Sequence, residues 1–315
     1  MLRSFLAWAT LWTVPCGASF AQDASENPPP PTHANVAYGP YNRNVLDLWL
    51  AESQTPTPIL VSIHGGGFLG GKPAVAADLL RECLSSGISV AAITYRFSSD
   101  AIAPASFHDA ARAVQFLRSH SKQWRLDPRR VAASGESAGA GLSLWLGLHD
   151  DLADPQAADP VLRESSRLTC VIAGAAQTSY DPRFIRRLIP EAETYRHPAL
   201  ARLFDINLDD LDNLPDEKYR LMAEVSPLNH LTPDDVPVLF LYEGRLDQPV
   251  TDLRIGIHHA RFGAALKPQM DQLKIRCVVQ AGGEVLGGGQ PVSTIEFLKQ
   301  EFGRRPEANH LPPGP

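Results

Sequence analysis

The pentapeptide Gly135-Glu-Ser-Ala-Gly139 constrains the fold of this chain more than any other stretch. A small, apolar run that begins at Val131 precedes it and predicts a buried strand, and residues 142–148 after it predict a helix. A serine at the tip of so sharp a strand-to-helix turn takes a strained backbone, and side chains two residues to either side of it would collide. The glycines therefore predict a turn from which the hydroxyl of Ser137 stands clear of the sheet, with the N-terminal amides of the helix beneath it.

A second glycine motif, His-Gly-Gly-Gly-Phe at residues 64–68, follows the apolar run 58–63, which predicts a core strand. Three consecutive glycines have no packing role there, and each carries an entropic cost. They are expected where backbone N–H groups must come close to a developing negative charge. We therefore predict an oxyanion hole formed by backbone amides of Gly65, Gly66, Gly67 and Ala138.

The two motifs, in this order, resemble those of α/β-hydrolases of the esterase and lipase kind that carry the HGGG sequence. The similarity is greatest to the BD-FAE-like (feruloyl-esterase-related) and hormone-sensitive-lipase-like branches, and it extends from about Val36 to Phe302. The resemblance implies a serine hydrolase that forms an acyl-enzyme on Ser137. It also implies carboxylic esters as substrates, such as acyl or feruloyl groups on plant or algal polysaccharide.

Apolar runs alternate along the chain with stretches in which apolar residues recur at helical spacing. This alternation predicts an α/β protein with a mostly parallel, doubly wound sheet, in agreement with the α/β-hydrolase fold that the resemblance implies. The predicted strands are residues 44–50, 58–63, 88–95, 131–133, 168–174, 236–242 and 275–279. The predicted helices are residues 74–85, 107–124, 142–149, 253–273 and 292–302.

The ends of the chain are predicted to lie outside this fold. Residues 1–21 combine a positive charge, a short apolar core and small residues at the cleavage position, which is typical of a secretory signal peptide and predicts export to the periplasm or the medium. Residues 22–35 contain four consecutive prolines and predict a stiff linker, and residues 304–315 predict a disordered tail. The hydrolase domain is thus expected at residues 36–303.

The alternation of strands and helices breaks down after Asp150, where Asp-Pro and similar pairs punctuate short helical pieces. We interpret residues 150–167 as a first insertion and residues 177–235 as a second insertion, both packed over the carboxyl edge of the sheet. The resemblance implies that a lid belongs there, and surface elaboration without contact to substrate is the alternative.

Charge and composition restrict the partners that we expect. The formal charge of −6 is spread over interspersed acidic and basic residues, so the sequence does not predict binding to nucleic acid. No cluster with metal-ligand spacing and no phosphate-binding loop occurs, so neither a metal nor an organic cofactor is predicted. Apart from the signal peptide, no apolar run approaches the length of a membrane span. The expected partner is a small-molecule or polysaccharide-linked ester.

Three cysteines, Cys83, Cys170 and Cys277, follow the predicted signal peptide, and each lies in an apolar or amphipathic segment. This context favours buried, free thiols. A single disulfide with one thiol left over is the alternative for an exported protein.

The chain order of this fold places an acid after the serine and a histidine after the acid. Asp247 follows the predicted strand 236–242 and Gly244, which is the position of the triad acid in the resemblance. An aspartate that caps the turn before a helix is the alternative. Glu243 is less favoured because it lies one strand residue too early.

The triad histidine is missing from its expected place. Residues 280–290, which follow the last predicted strand, contain no histidine, and Glu284 stands near that position. An isolated carboxylate is a poor base for a serine hydroxyl near neutral pH. His197 in the second insertion is the stand-in that the sequence excludes least, whereas His258 and His259 are interpreted as packing or surface residues of the helix 253–273.

The sequence therefore leaves two functions open. One is an ester hydrolase whose base comes from elsewhere in the chain. The other is a catalytically impaired hydrolase scaffold that serves as a ligand-binding protein.

Overall fold

The computed structural model describes residues 28–304. The predicted signal peptide, the first part of the predicted linker and nearly all of the predicted tail lie outside the described residues. Within the described range no helix is both long enough and apolar enough to cross a membrane.

A nine-stranded sheet, in the order β1-β2-β4-β3-β5-β6-β7-β8-β9, runs through the described residues. The pairs from β4 and β3 through to β7 and β8 are parallel, and the pairs at the two edges are antiparallel. The strands are β1 (His33–Ala37), β2 (Val45–Trp49), β3 (Thr57–Ile63), β4 (Ser89–Ile93), β5 (Leu126–Glu136), β6 (Cys170–Gly174), β7 (Val238–Tyr242), β8 (Cys277–Ala281) and β9 (Glu284–Val285).

Helices cover both faces of this sheet. The helices are α1 (Ala77–Ser85), α2 (Ala105–Ser119), α3 (Ser121–Trp124), α4 (Ala138–Leu148), α5 (Pro182–Leu188), α6 (Pro198–Phe204), α7 (Asp216–Val225), α8 (Leu253–Ile257), α9 (Arg261–Gln272) and α10 (Thr294–Gly303). Apolar side chains of α2, α4 and α9 join one core, and those of α1 and α10 join a second core on the opposite face. The strands are apolar on both sides because both sides are covered. The predicted fold class is thereby confirmed.

The turn between β5 and α4 has the strained geometry that its glycines predict. Ser137 takes φ 53° and ψ −119°, and its backbone N–H donates a hydrogen bond of 2.9 Å to the carbonyl of Gly174 on β6. A Cβ atom on Gly135 would lie 2.3 Å from the backbone of Gly139, and one on Gly139 would lie 2.0 Å from the carbonyl oxygen of Ile63 on β3. The serine is therefore held by backbone contacts to both neighbouring strands.

The two insertions have different positions. The first insertion lies along α2, where the side-chain amide of Gln115 donates to the carbonyl oxygens of Leu152, Leu162 and Glu164. The expectation that the first insertion covers the carboxyl edge of the sheet is thus wrong, because its backbone carbonyls are hydrogen-bonded to α2 instead. The second insertion contains α5, α6 and α7, and α6 reaches the edge of the sheet where Ser137 lies.

The predicted helix 253–273 is divided in the structure. Helix α8 ends at Ile257 and helix α9 begins at Arg261. The break is stabilised by His259, whose ring accepts a hydrogen bond from the N–H of Arg261 and also bonds the carbonyl of Gln248. Gly256 packs so closely against Thr194 that a Cβ atom there would lie 2.0 Å from the threonine hydroxyl. These tertiary contacts override the helical periodicity of the sequence.

Two smaller predictions can also be compared with the structure. Strand β1 begins at His33, so the last residues of the predicted linker belong to the sheet, and the carbonyl of Pro29 accepts a hydrogen bond from the indole of Trp49. The three cysteines are free and buried, as expected.

Gly139 provides a direct test of the packing beneath the turn. We expect Gly139→Ala to destabilise the protein by about 1–3 kcal/mol or more, because the new methyl group would overlap a backbone carbonyl that cannot move independently of β3. Gly303→Ala is the matched control, since among residues 28–304 no atom outside its chain neighbours and the backbone of its own helix lies within 4 Å of a Cβ atom at this position. Chemical denaturation of both variants measures the difference, and equal stability of the two would contradict this account.

Candidate active site

The hydroxyl of Ser137 is hydrogen-bonded to a histidine for which the sequence predicts a packing or surface position on a helix. Nε2 of His258 lies 2.9 Å from Oγ of Ser137. His258 is the first residue after α8, so the break between α8 and α9 places its ring over the turn that carries the serine. A continuous helix would not present the ring in this way.

The second ring nitrogen of His258 determines which tautomer faces the serine. The ring is also hydrogen-bonded to the backbone carbonyl of Arg254, one turn earlier in α8. A carbonyl oxygen only accepts hydrogen bonds, so Nδ1 carries the proton. Nε2 then presents a lone pair to the hydroxyl of Ser137, which is the arrangement that a general base requires.

The pKa of His258 is lowered below its ordinary value, mainly because the ring is withdrawn from water. The carbonyl of Arg254 and the negative charge of Glu136 raise this pKa, and the guanidinium of Arg254 lowers it, but burial has the largest effect. The ring is therefore neutral, and able to accept a proton, at pH 7.

The glycine-rich loop lies opposite this pair. Gly66 and Gly67 have φ values of 106° and 60°, which favour glycine, and with Ala138 they line the cavity that contains Ser137. Gly65 has a different role, because a Cβ atom there would lie 2.7 Å from the carbonyl of Glu136. Its small size lets the loop pack against the serine turn.

The side chain of His64 braces this loop. Its Nδ1 lies 2.7 Å from the carbonyl of Gly65, and its ring stacks on Tyr95 with centroids 4.4 Å apart. The hydroxyl of Tyr95 in turn donates a hydrogen bond of 2.9 Å to the carbonyl of His64. The loop that lines the cavity is therefore rigid on the side away from the ligand.

A cavity of about 540 Å³ opens above Ser137 and His258. The second insertion supplies part of its wall, with an aromatic ring, a histidine and two leucines: Tyr180, His197, Leu200 and Leu203. The first insertion contributes no residue to this wall. The second insertion is thus the segment placed to contact a bound ligand.

Asp247 does not occupy the position of a triad acid. Its side chain is 77% exposed and accepts a hydrogen bond of 3.1 Å from Nε of Arg245. Glu284, near the expected histidine position, is 67% exposed and pairs with the same guanidinium at 2.5 Å. Where the resemblance implies a meeting of acid and histidine, this chain has an exposed cluster of one arginine and two carboxylates. We therefore correct the assignment of Asp247.

His197 lies at the cavity but is not the partner of the serine. Its Nδ1 accepts a hydrogen bond from the N–H of Ala199 and caps the start of α6. Burial and the nearby His258 both lower its pKa. The histidine that contacts Ser137 is thus His258, which sequence reasoning missed because it follows α8 rather than the last parallel strand. Gly256 within the predicted helix was the available signal of a break.

Comparison with known proteins places these features in a family. The profile of the BD-FAE family matches residues 46–252, which include the glycine-rich loop, Ser137 and Asp247 but end before His258. The probable carboxylic ester hydrolase LipM of Mycobacterium tuberculosis is 28% identical over 69% of this chain and 48% of its own length. Esterase LipQ of the same organism is 30% identical over 41% of this chain and 30% of its own length. The matches thus span less than half of either relative.

Solved structures agree with this placement. The acetyl ester-xyloside bifunctional hydrolase of Caldicellulosiruptor lactoaceticus is 25% identical, with a TM-score of 0.56 over 71% of this chain and 73% of that one. A truncated carbohydrate esterase from gut microbiota shares the fold with a TM-score of 0.63 over 86% of this chain and 96% of its own, at 20% identity. With the matching family profile covering most of the described sheet, the α/β-hydrolase fold and both glycine motifs in place, this chain belongs to the BD-FAE family.

Proposed function

We propose that this protein hydrolyses carboxylic esters through an acyl-enzyme on Ser137, with His258 as the general base. The observation that carries the proposal is the 2.9 Å contact between Oγ of Ser137 and Nε2 of His258. That distance lies within the range for direct proton transfer between a nucleophile and its base. The named relatives support ester hydrolysis as the reaction class.

The reaction follows from the positions of these groups. Oγ of Ser137 attacks the ester carbonyl while its proton passes to Nε2 of His258, and the carbonyl oxygen becomes negative. The backbone amides of Gly66, Gly67 and Ala138 stabilise this oxyanion. The intermediate then collapses, the ester C–O bond breaks, and the proton on His258 passes to the departing alkoxide. A water molecule next attacks the acyl-enzyme with His258 again as base, which releases the acid and restores Ser137.

His258 is hydrogen-bonded to the backbone carbonyl of Arg254 and not to a carboxylate. We therefore expect this enzyme to be slower than one with a complete triad. A carboxylate would both orient the ring and stabilise its positive charge after proton transfer. The carbonyl of Arg254 orients the ring but carries no full negative charge. Glu136 supplies a negative charge near the ring, and this charge acts in the same direction as a triad acid.

The cavity indicates the size and polarity of the substrate. Its wall combines the apolar side chains of Phe68, Leu200 and Leu203 with charged residues from the loops after β7. An ester with an apolar acyl group and a polar alcohol fits this division. We propose acyl or feruloyl groups on a sugar or polysaccharide, consistent with the acetyl ester-xyloside hydrolase among the similar structures. The predicted signal peptide adds export from the cytoplasm to this proposal.

The alternative function, a hydrolase scaffold that only binds ligand, rests on the absence of a base. The contact between His258 and Ser137 removes the reason for proposing that alternative, because a neutral imidazole faces the serine hydroxyl. Reaction with a fluorophosphonate probe separates the two functions. We expect covalent labelling at Ser137, located by mass spectrometry, and none in Ser137→Ala. A folded protein that is neither labelled nor active on short-chain esters would support the binding scaffold instead.

Two substitutions test whether His258 is the general base and whether Asp247 acts as its acid partner. We expect His258→Ala to lower kcat for a short-chain ester by about 10²–10⁴-fold, the usual contribution of a positioned general base. Asp247→Asn is expected to change kcat less than about fivefold, since an exposed ion pair contributes about 1 kcal/mol or less. If Asp247 were the acid of a triad, the corresponding loss would be about 10⁴-fold.

His197→Ala is the matched control for His258→Ala, because both rings are half-buried at the same cavity. We expect it to affect KM more than kcat. A loss of kcat in His197→Ala as large as that in His258→Ala would contradict the assignment of the base.

The pH dependence of kcat/KM reports the pKa of His258. The base acts only when neutral, and burial lowers its pKa, so activity should persist as the pH falls through the ordinary titration range of histidine and should be lost only at lower pH. Glu136→Gln removes a charge that raises this pKa, so the acid limb should move to still lower pH. Glu284→Gln serves as the control, because Glu284 pairs with Arg245 at the surface. An acid limb that moves to higher pH in Glu136→Gln would contradict this electrostatic account.

A further inference from the structure

Two histidines and a glutamate from distant parts of the chain meet on the flank of the molecule. His149 follows the last residue of α4, Glu224 lies on α7, and His230 follows the 3₁₀ turn Pro227–Asn229 of the second insertion. One ring nitrogen of each histidine and a carboxylate oxygen of Glu224 lie within 4.8 Å of one another. None of the three lines the active-site cavity. The cluster is therefore a feature that the proposed hydrolysis does not use.

Each histidine is held by a hydrogen bond to a backbone carbonyl. Nδ1 of His149 lies 2.8 Å from the carbonyl of Asp150, and Nε2 of His230 lies 2.5 Å from the carbonyl of Glu224. Because a carbonyl oxygen only accepts, these nitrogens carry the protons. In the neutral rings, the lone pairs then reside on Nε2 of His149 and Nδ1 of His230. This pattern, in which the outer nitrogen donates to the protein, is the one that metal-binding histidines show.

The remaining contacts among the three side chains would be stabilised by a positive charge placed between them. Nε2 of His149 lies 3.3 Å from Oε1 of Glu224, so in the neutral ring a lone pair faces a carboxylate. The two imidazole rings are 4.6 Å apart, so a full charge on both would be repulsive. A single divalent cation shared among the three groups satisfies all of these lone pairs.

We propose that His149, Glu224 and His230 bind one divalent transition-metal ion and that this ion joins the second insertion to helix α4. Two imidazoles and a carboxylate are typical of Zn²⁺, with water as the fourth ligand. A shared ion about 2.1 Å from each ligand atom keeps those atoms within about 4 Å of one another, so small rotations of the side chains suffice. Glu224 is exposed and both histidines are half-buried, so an ion can enter from solvent.

The surroundings are suited to hold the ligands in place. The ring of Trp145, which is fully buried, packs against His149 at 4.3 Å and His230 at 6.4 Å between centroids. Its indole N–H donates a hydrogen bond of 2.9 Å to the carbonyl of Glu224. Because α4 begins at the nucleophile turn and the second insertion lines the cavity, the ion would stabilise the packing between the two segments that form the active site.

The test uses the untagged protein without its signal peptide, freed of metal and titrated with Zn²⁺ against a chromophoric chelator. We expect one equivalent to bind, and we expect the midpoint of thermal unfolding to rise with Zn²⁺. His149→Ala, His230→Ala and Glu224→Gln should each weaken binding at least about tenfold, and Glu224→Gln keeps the side-chain volume if an alanine variant folds poorly. Substituted Co²⁺ should give the absorption spectrum of a tetrahedral site.

Two controls separate this site from other histidines. His120→Ala removes a histidine at the end of α2, and His258→Ala removes the active-site ring, so both should bind Zn²⁺ as tightly as the unsubstituted protein. Absence of stoichiometric binding would overturn the proposal. Binding that is lost in His258→Ala but kept in the three cluster variants would also overturn it.

Discussion

The hydrogen bond between Ser137 and His258 is the interaction on which the rest of the active site depends. It requires a serine raised on a strained turn and a histidine turned away from its helix, and separate parts of the fold provide each. Gly135 and Gly139 permit the turn by allowing backbone atoms to approach within distances that no side chain would tolerate. His259 and Gly256 produce the break that releases His258. The contact between Ser137 and His258 thus results from the packing around both residues.

His258 reaches Ser137 from a different place in the chain than the resemblance implies. In the arrangement that the resemblance implies, the acid follows β7 and the histidine follows β8. Here Arg245 joins Asp247 and Glu284 in an exposed ion cluster at that location. The histidine comes instead from the segment between β7 and β8, just beyond the end of the family match at residue 252. The sheet and both glycine motifs lie within the family match, whereas His258 lies outside it.

The fold and the strained turn that carries Ser137 could be predicted from sequence because local patterns determine them. Apolar runs determine the strands, and the glycines around Ser137 are required by one feature, the sharp turn between β5 and α4. The contact of His258 with Ser137 could not be predicted, since the periodicity of residues 253–273 favours one helix and only tertiary contacts with Thr194 and Gln248 divide it. His149, Glu224 and His230 were equally hidden, because a cluster assembled from α4 and the second insertion has no sequence spacing to recognise.

The central claim is that His258 is a neutral base oriented by a backbone carbonyl. Nitrogen NMR of the protein with ¹⁵N-labelled histidine, assigned by comparison with His258→Ala, observes this state directly. At pH 7 we predict a ring with a protonated Nδ1 and an unprotonated Nε2, unchanged in Asp247→Asn. A ring protonated on Nε2, or one whose protonation changes when Asp247 is replaced, would contradict the account.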